Sequence, residues 1–587
     1  MKSEKVIFFA PHASIWVHAF PEALVAEALA SSGDSIMYVG CRGVLSQRCT
    51  TFDAQGLQLD VEEELRSKVC RDCIAAQNRL QRHFGFAKVD LEDHISTTEI
   101  KLIDAHIDGH DLSALLELSI EGIPVGRYAS YETLLSFKKR DLVFNEEERR
   151  NYLAYLRGCI ITLTAFKRVF ASVPPGVLIT YNSLYATNRT VSSFAESFGA
   201  KAYTLHAGPN LSNRLQTLMI ARGSTFSHSQ RLLELWPIFR ELPCPPEGVR
   251  FVSNHLLEVL RGRSAFVYSA PTKGYTSVRN RFQIGSDRKL LLATMSSYDE
   301  RFAAEIIGVR PPLERVMFES QVDWIQWLVN YVGDRDDLFL VIRPHPRDFP
   351  NKRESRLSDH ARLLQETLRF LPENVVVNWP ADSIALYDFV AEVDVLLNGW
   401  SSSGKEFAML GIPVVSYSAS VLTYPADLVT IGETPTEYAN AIEQALTEGW
   451  SLERVRKAYR WLALEHVYSV VDISDGFARS ETSLRESILR RLSNRIRAKF
   501  QPGWREEREC RARPKPVAQS ALIIDVLRRR AKSVADVRQL PVVSEAAETD
   551  ALINELQRLA DVLLLNSRQL SPLARGILGL KKQATEP

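Results

Sequence analysis

Two stretches decide the fold: FLVIRPHPRD (residues 339–348) and DVLLNGWSSSGKEFAMLGIPVV (residues 394–415). Each opens with a short unbroken apolar run and then breaks into a polar turn rich in Pro, Gly or Ser. Such a run, bounded by turn signals, reads as a strand buried on both faces. In the second stretch a helix, GKEFAML, and another apolar run, PVVSYS, follow at once. Strand, helix and strand in quick alternation call for a parallel, doubly wound sheet.

The same alternation extends in both directions. Upstream lie strand KLLLATM (289–295) and helix SQVDWIQWLVNYV (320–332); between the two key stretches lie strand NVVVNW (374–379) and helix ALYDFVAEV (385–393). Residues 289–450 are therefore expected to form one Rossmann-like domain. The polar segment 269–288 contains Pro and Gly without any sustained period, and reads as a linker.

The N-terminal half shows a second series. KVIFFAPH, EALVAEALASSG and SIMYVG form a β-α-β unit at the start of the chain, and GVLITYN, RTVSSFAESFGA and KAYTLHAG form another ending at residue 208. Between them, from about 62 to 173, the pattern is helical and charge-rich. Residues 1–268 are thus expected to be a second Rossmann-like domain carrying an α-helical insertion. Residues 451–500 read as helices that cross back, with RESILRRLSNRIRAKF (485–500) basic and amphipathic, and 501–587 as a helical tail.

A chain of 587 residues exceeds what one core supports, in agreement with two domains. Its 72 basic and 71 acidic side chains leave no global field to attract nucleic acid, so nucleic acid is not an expected partner. Pro11, His12 and His18 interrupt the first apolar run before it reaches the length of a signal segment, and no stretch is long enough to span a bilayer. The expectation is a cytoplasmic protein with reduced cysteines.

Ligands of doubly wound folds bind at the carboxyl ends of the strands. There the sequence places Arg343, His345 and Arg347 after one strand, a concentration of donors suited to an anionic ligand. After another strand it places Ser401, Ser402, Ser403 and Gly404, whose hydroxyls and backbone N–H groups at a helix start would cradle a phosphate; the same letters equally read as a helix cap. Glu406 follows on that helix, where a carboxylate either accepts from vicinal hydroxyls or stabilises the helix start. ATMSSYDE (293–300) adds Asp299 and Glu300, which either orient donor hydroxyls or belong to a helix cap.

The order "strand-RPHPRD, then DVLLNGWSSSGKEFAMLGIPVV" resembles the C-terminal domain of GT-B glycosyltransferases that build bacterial capsules, lipopolysaccharide O-chains and teichoic acids. It is similar in particular to Kdo transferases and CDP-glycerol glycerophosphotransferases with a His-Pro motif. The match covers about 289–446, and the N-terminal half only by topology and by fragments such as IPVGRY and YTLHAG. The resemblance implies a nucleotide-activated sugar as donor substrate and no cofactor, with a polysaccharide or lipid-linked glycan as acceptor. It implies that Arg343, His345 and Arg347 contact the donor phosphate or a sugar acid group, that Ser401 to Gly404 hold phosphate, and that Glu406 binds ribose. Retaining members often carry a second glutamate eight positions earlier; here that position is Asn398, which points to an inverting mechanism.

An inverting transfer needs a base for the acceptor hydroxyl. His12, in the loop after the first strand, is the candidate catalytic residue, with His206 as alternative. The basic helix at 485–499 suggests peripheral association with the inner membrane, or else a helix bracing the first domain. Cys41, Cys49, Cys70 and Cys73 fall close together, but only Cys70 and Cys73 have metal-knuckle spacing, so no metal site is assigned from sequence. Competing functions are a polyol-phosphate transferase, a nucleotide-sugar 2-epimerase, and a non-catalytic nucleotide-sugar-binding scaffold.

Overall fold

The computed structural model describes residues 4–262, 277–313, 316–351, 355–477, 503–512 and 516–563, with isolated positions 266, 268, 270, 576 and 579. Two sheets organise them. The first has seven strands in the order β13-β6-β5-β4-β1-β2-β3. They are β1 (Lys5–Phe9), β2 (Ser35–Gly40), β3 (Ala87–Asp90), β4 (Val177–Tyr181), β5 (Lys201–Ala207), β6 (Thr217–Arg222) and β13 (Val470–Asp472). The strands from β3 to β5 are parallel, whereas β6 and β13 join antiparallel at the far edge.

The second sheet is wholly parallel, ordered β12-β11-β10-β7-β8-β9. It comprises β7 (Lys289–Thr294), β8 (Leu338–Arg343), β9 (Val375–Val377), β10 (Val395–Asn398), β11 (Val414–Ser416) and β12 (Thr430–Ile431). All six residues of β8 are buried, which is why FLVI reads as an unbroken apolar run: helices cover both faces. In both sheets the first strand of the half lies at the centre and the order reverses beside it. The doubly wound α/β architecture expected from the sequence is present twice.

Several local expectations change. The segment 62–173 is not purely helical: helix Glu63–Phe84 crosses over from β2 to β3, and β3 extends the parallel sheet by pairing Met37 to Gly40 with Ala87 to Asp90. The short, half-buried β3 gives too weak an alternation to be read as a strand. ALYDFVAEV yields only a 3-10 segment, Leu386–Ala391. The helices Thr225–Phe239 and Pro246–Arg261, expected within the first domain, contribute Leu232, Trp236, Val252 and Leu256 to the core that contains the second sheet. In the linker, helix Val278–Arg281 is described and 271–276 lie outside the described residues.

Helix Leu452–Ala463 packs on helix Ser403–Met409 and continues into a π-helical turn before β13 delivers the chain to the first sheet. The basic segment 485–499 lies outside the described residues. In the tail, helix Ser520–Arg528 packs on Trp16–Ser31, and helix Glu545–Val562 packs on Pro246–Arg261, so the tail braces both halves. Among the described residues no helix is long and apolar enough to cross a membrane.

Candidate functional site

The carboxyl ends of β7, β8 and β10 meet at the switch in strand order of the second sheet. Arg343 closes β8 and is buried; its guanidinium donates to the Asn378 side chain and, at 3.0 Å, to the Ile384 carbonyl. Burial lowers its pKa to about 10, which leaves it cationic at neutral pH. Two residues on, His345 caps the 3-10 turn Pro346–Asp348: its Nδ1 accepts from the Arg347 backbone N–H at 3.2 Å. That bond assigns the proton to Nε2. Burial, opposed by Glu300 and reinforced by Arg347 and Arg343, pulls the His345 pKa down to about 4, so the ring is a neutral donor.

The loop after β10 divides its serines. Ser403 turns inward, bonding Thr294 at 3.1 Å and Asn398 at 3.3 Å. Asn398 is fully buried and ties the β7 and β10 ends together: it accepts from Thr294 at 2.9 Å and donates to Tyr424 at 2.8 Å and to the Ser401 carbonyl at 3.0 Å. Gly404 sits against this bracket, since a Cβ there would lie 2.0 Å from the Tyr424 hydroxyl and 2.6 Å from Asn398 Nδ2. Gly404 is thus required for packing. Ser401 and Ser402 are the more exposed serines of the loop, and Ser403, though buried, also borders the cleft.

Glu406 is 5% exposed and takes a 2.5 Å hydrogen bond from the Tyr387 hydroxyl at one oxygen. Its other oxygen stands 4.0 Å from His255 Nε2. His255 accepts from the Leu211 backbone N–H through Nδ1, and burial, then His466, holds its pKa well below the usual range, so this approach involves a neutral ring. Burial raises the Glu406 pKa, opposed by the bond from Tyr387 and the charge of Lys405. Lys405 itself is engaged by Glu465 at 2.6 and 2.7 Å.

These groups wall one cavity of about 260 Å3, which Arg343, His345, Ser401, Ser402, Ser403 and Glu406 all line, together with Tyr387, His255, His466 and Lys405. Arg347 and Gly404 are not among its walls. Arg347 is buried against Asp299 at 2.9 Å and reaches the Leu135 carbonyl of the first half at 3.3 Å, so it links the halves. A second cavity of about 480 Å3 adjoins the first through Tyr268, His345, Ser401 and Ser402. Its walls include Glu300, Trp400 and two arginines, Arg301 and Arg310. The Arg301 guanidinium lies 5.6 Å from the Trp400 ring centre and that of Arg310 lies 5.6 Å from Phe226. Burial lowers both pKa values, that of Arg310 to about 10 with help from Arg301, while Arg301 is paired with Glu305 at 2.6 Å.

The structure brings neither His12 nor His206 to the wall of either cavity. His12 is buried beside Tyr185, with a ring separation of 6.1 Å and neither nitrogen hydrogen-bonded; burial lowers its pKa to about 4. His206 contacts its neighbour's carbonyl at 3.0 Å and is likewise lowered to about 4 by burial, then by Arg214. Both belong to an aromatic cluster with His18 and Tyr181 at the carboxyl ends of β1, β4 and β5.

Tyr387, His255, His466, Arg301 and Arg310 were not singled out from sequence. Tyr387 had a faint signal, a lone hydroxyl in an otherwise apolar ALYDFV; the others sit in helices or turns that nothing local ties to the strand ends.

No family model and no curated protein matches the chain. Among solved structures, a putative UDP-N-acetylglucosamine 2-epimerase from Listeria monocytogenes aligns over 86% of this chain and 98% of its own at 11% identity, with a TM-score of 0.26. The β-Kdo 2,4 transferase KpsC of Thermosulfurimonas dismutans aligns over 49% and 78% at 14% identity, with a TM-score of 0.30. The UDP-GlcNAc 2-epimerase of Neisseria meningitidis, bound to UDP-GlcNAc, aligns over 79% and 94% at 13% identity, with a TM-score of 0.24. At these identities and scores the similarities assign no activity to this protein.

Proposed function

We propose that the protein is a glycosyltransferase of the GT-B type. It would move a sugar from a nucleotide-activated donor to a growing surface polysaccharide or lipid-linked glycan at the cytoplasmic face of the membrane. The observation that carries this reading is the cavity in which a cation, Arg343, and a neutral donor, His345, face the Ser401 and Ser402 hydroxyls beside the buried Glu406. The first four groups suit phosphate oxygens. The carboxylate, already oriented by Tyr387, suits a vicinal diol such as ribose.

In this reading the leaving phosphate is neutralised by Arg343 and the His345 N–H, so departure needs no metal ion. Asn398 is committed to the bracket between β7 and β10 and offers no carboxylate, which supports an inverting transfer. The acceptor would enter through the second cavity, whose walls carry both signs of charge, Arg301 and Arg310 beside Glu300. His12, neutral and without a polar partner, is the proposed base on the facing half, brought to the acceptor by closure of the two halves.

The test is thermal-shift screening of the full chain against CMP-, CDP-, UDP-, GDP- and dTDP-linked donors. A ligand at about a hundred times its Kd should stabilise by about 2.7 kcal/mol. Stabilisation by one nucleotide class, lost in His345→Ala, identifies the donor. Acceptor-dependent release of the nucleotide establishes transfer, whereas an isomerised sugar still attached to nucleotide establishes an epimerase. Binding without turnover, in the presence of acceptor glycans, would favour the scaffold. No stabilisation by any donor, from folded protein, refutes the site.

A further inference from the structure

Beside Glu406 the donor cavity is walled by His255, which helix Pro246–Arg261 carries and which is 6% exposed. Val252, Leu256 and Val259 of the same helix face the core that contains the second sheet, so helical spacing puts His255 on an apolar stripe. An imidazole buried there needs partners for its nitrogens.

The two nitrogens are used unequally. Nδ1 accepts from the Leu211 backbone N–H at 3.1 Å, and Leu211 lies in the connection between β5 and β6 of the first sheet. A nitrogen that accepts carries no proton, so the neutral ring bears its proton on Nε2. Nε2 is buried and has no hydrogen-bond partner among the described residues. An unmade buried donor costs stability, and native interiors hold few of them.

Glu406 Oε1 lies 4.0 Å from this Nε2, too far for a direct bond. An oxygen that accepts from Nε2–H and donates to Oε1, each at ordinary length, spans such a gap. A hydroxyl does both at once, whereas a carbonyl or ether oxygen only accepts and an amide N–H only donates. The flanking groups hold the pair in place. Tyr387 fixes the other Glu406 oxygen at 2.5 Å, and His466 packs edge-on against His255 with ring centres 4.6 Å apart. His466 sits in the π-helical turn Leu464–Tyr468, whose Glu465 accepts from Lys405, the neighbour of Glu406, at 2.6 and 2.7 Å. Turns of this kind are rare and are found mostly at functional sites.

We propose that His255 is a specificity-determining residue: together with Glu406 it grips one ribose hydroxyl of the donor nucleotide, donating from Nε2 while the carboxylate accepts the hydroxyl proton. Given ribose recognition by Glu406, on which this assignment rests, the protein distinguishes ribonucleotides from their deoxy analogues at that hydroxyl. A hydroxyl of the transferred sugar has the same chemistry, and the free nucleotide, which lacks that sugar, separates the two sources.

The full chain is titrated calorimetrically with CMP, CDP, UDP and GDP, each beside its 2′-deoxy and 3′-deoxy forms. For the nucleotide that binds, loss of one of the two hydroxyls should weaken binding to the wild type by about 10- to 150-fold. His255→Phe keeps a planar ring without the donor. It should weaken the ribonucleotide by about 3- to 10-fold and leave the sensitive deoxy form unchanged, so that the preference shrinks by the same factor. A purely structural role would weaken both forms alike, and that result overturns the proposal. Wild-type protein that binds a ribonucleotide and both its deoxy forms equally overturns it even where His255→Phe fails to fold. A His255→Phe effect seen only with intact nucleotide sugars places the hydroxyl on the transferred sugar and likewise overturns it. Failure of every nucleotide and nucleotide sugar to bind folded wild type refutes the donor site itself, and this assignment with it.

Discussion

Replacing Glu406 by Gln should move binding and stability in opposite directions. The carboxylate is 5% exposed, and its raised pKa means that the folded state disfavours its charge. A carboxyl whose folded pKa lies above its unfolded value is fully compatible with folding at low pH and loses stability as pH rises through the interval between the two. Gln keeps an acceptor for the Tyr387 hydroxyl but carries no charge, so Glu406→Gln should leave stability unchanged in acid and raise it at neutral pH and above. Donor binding should fall, because a hydrogen bond to a charged group contributes about 1.5–3 kcal/mol. Losing one such bond to a ribose hydroxyl corresponds to roughly a 10- to 150-fold weaker Kd. Calorimetric titration with the free nucleotide and with the nucleotide sugar, beside denaturant unfolding at pH 5 and pH 8, reads both quantities. Unchanged affinity for the free nucleotide would refute ribose recognition by Glu406, and lower stability at pH 8 would refute the assignment of a desolvated carboxylate.

Other expectations follow from buried polar groups. Glu548 is fully buried in a two-bond ion pair with Arg460, at 2.6 and 2.9 Å, and accepts from the Cys244 N–H. Glu548→Ala removes the two-bond partner of Arg460, leaving it the Arg240 carbonyl and Glu545 at 3.8 Å, and should destabilise by about 3–5 kcal/mol in urea unfolding, with the tail helix released to proteolysis. Glu22 is buried, with a pKa raised from 4.5 to about 8 by desolvation. The wild type should lose stability as pH rises from about 4.5 to 8, because the folded state then binds more protons than the unfolded, and Glu22→Gln should flatten that slope in thermal melts. Gly404→Ala drives a methyl into the Tyr424 hydroxyl and should cost about 1–3 kcal/mol. Adding Tyr424→Phe should recover part of that loss in a double-mutant cycle, and additive losses would show that the clash lies elsewhere.

Much of the fold was legible because strand and helix periods are local records of burial. FLVI at 339–342 is apolar throughout because β8 is covered on both faces, and the Gly and Pro around it mark the turns. Short or edge elements left weaker records. β3 is only four residues long and half-buried, and β13 is a three-residue strand whose partner β6 lies some 250 residues away in the chain. Nothing within a local window distinguishes such a strand from a turn.

The site divides the same way. That donors gather after β8 and hydroxyls after β10 follows from the sequence, since a parallel sheet places all its carboxyl ends on one edge. Which donors remain free does not follow. Arg343, His345 and Arg347 alternate in sequence, yet the prolines on either side of His345 turn the chain so that the first two line the cavity and the third pairs with Asp299. Ser401 and Ser402 stay open while Ser403 and Gly404 pack against the Asn398 bracket. The sequence by itself determined two doubly wound sheets and the strand ends at which ligands would be sought. Only tertiary packing decided that Tyr387 meets Glu406 and that Arg301 and Arg310 face the same cleft. Hydrophobic periodicity records which side of an element is buried, whereas these encounters depend on the path of the loops and on partners far apart in the chain.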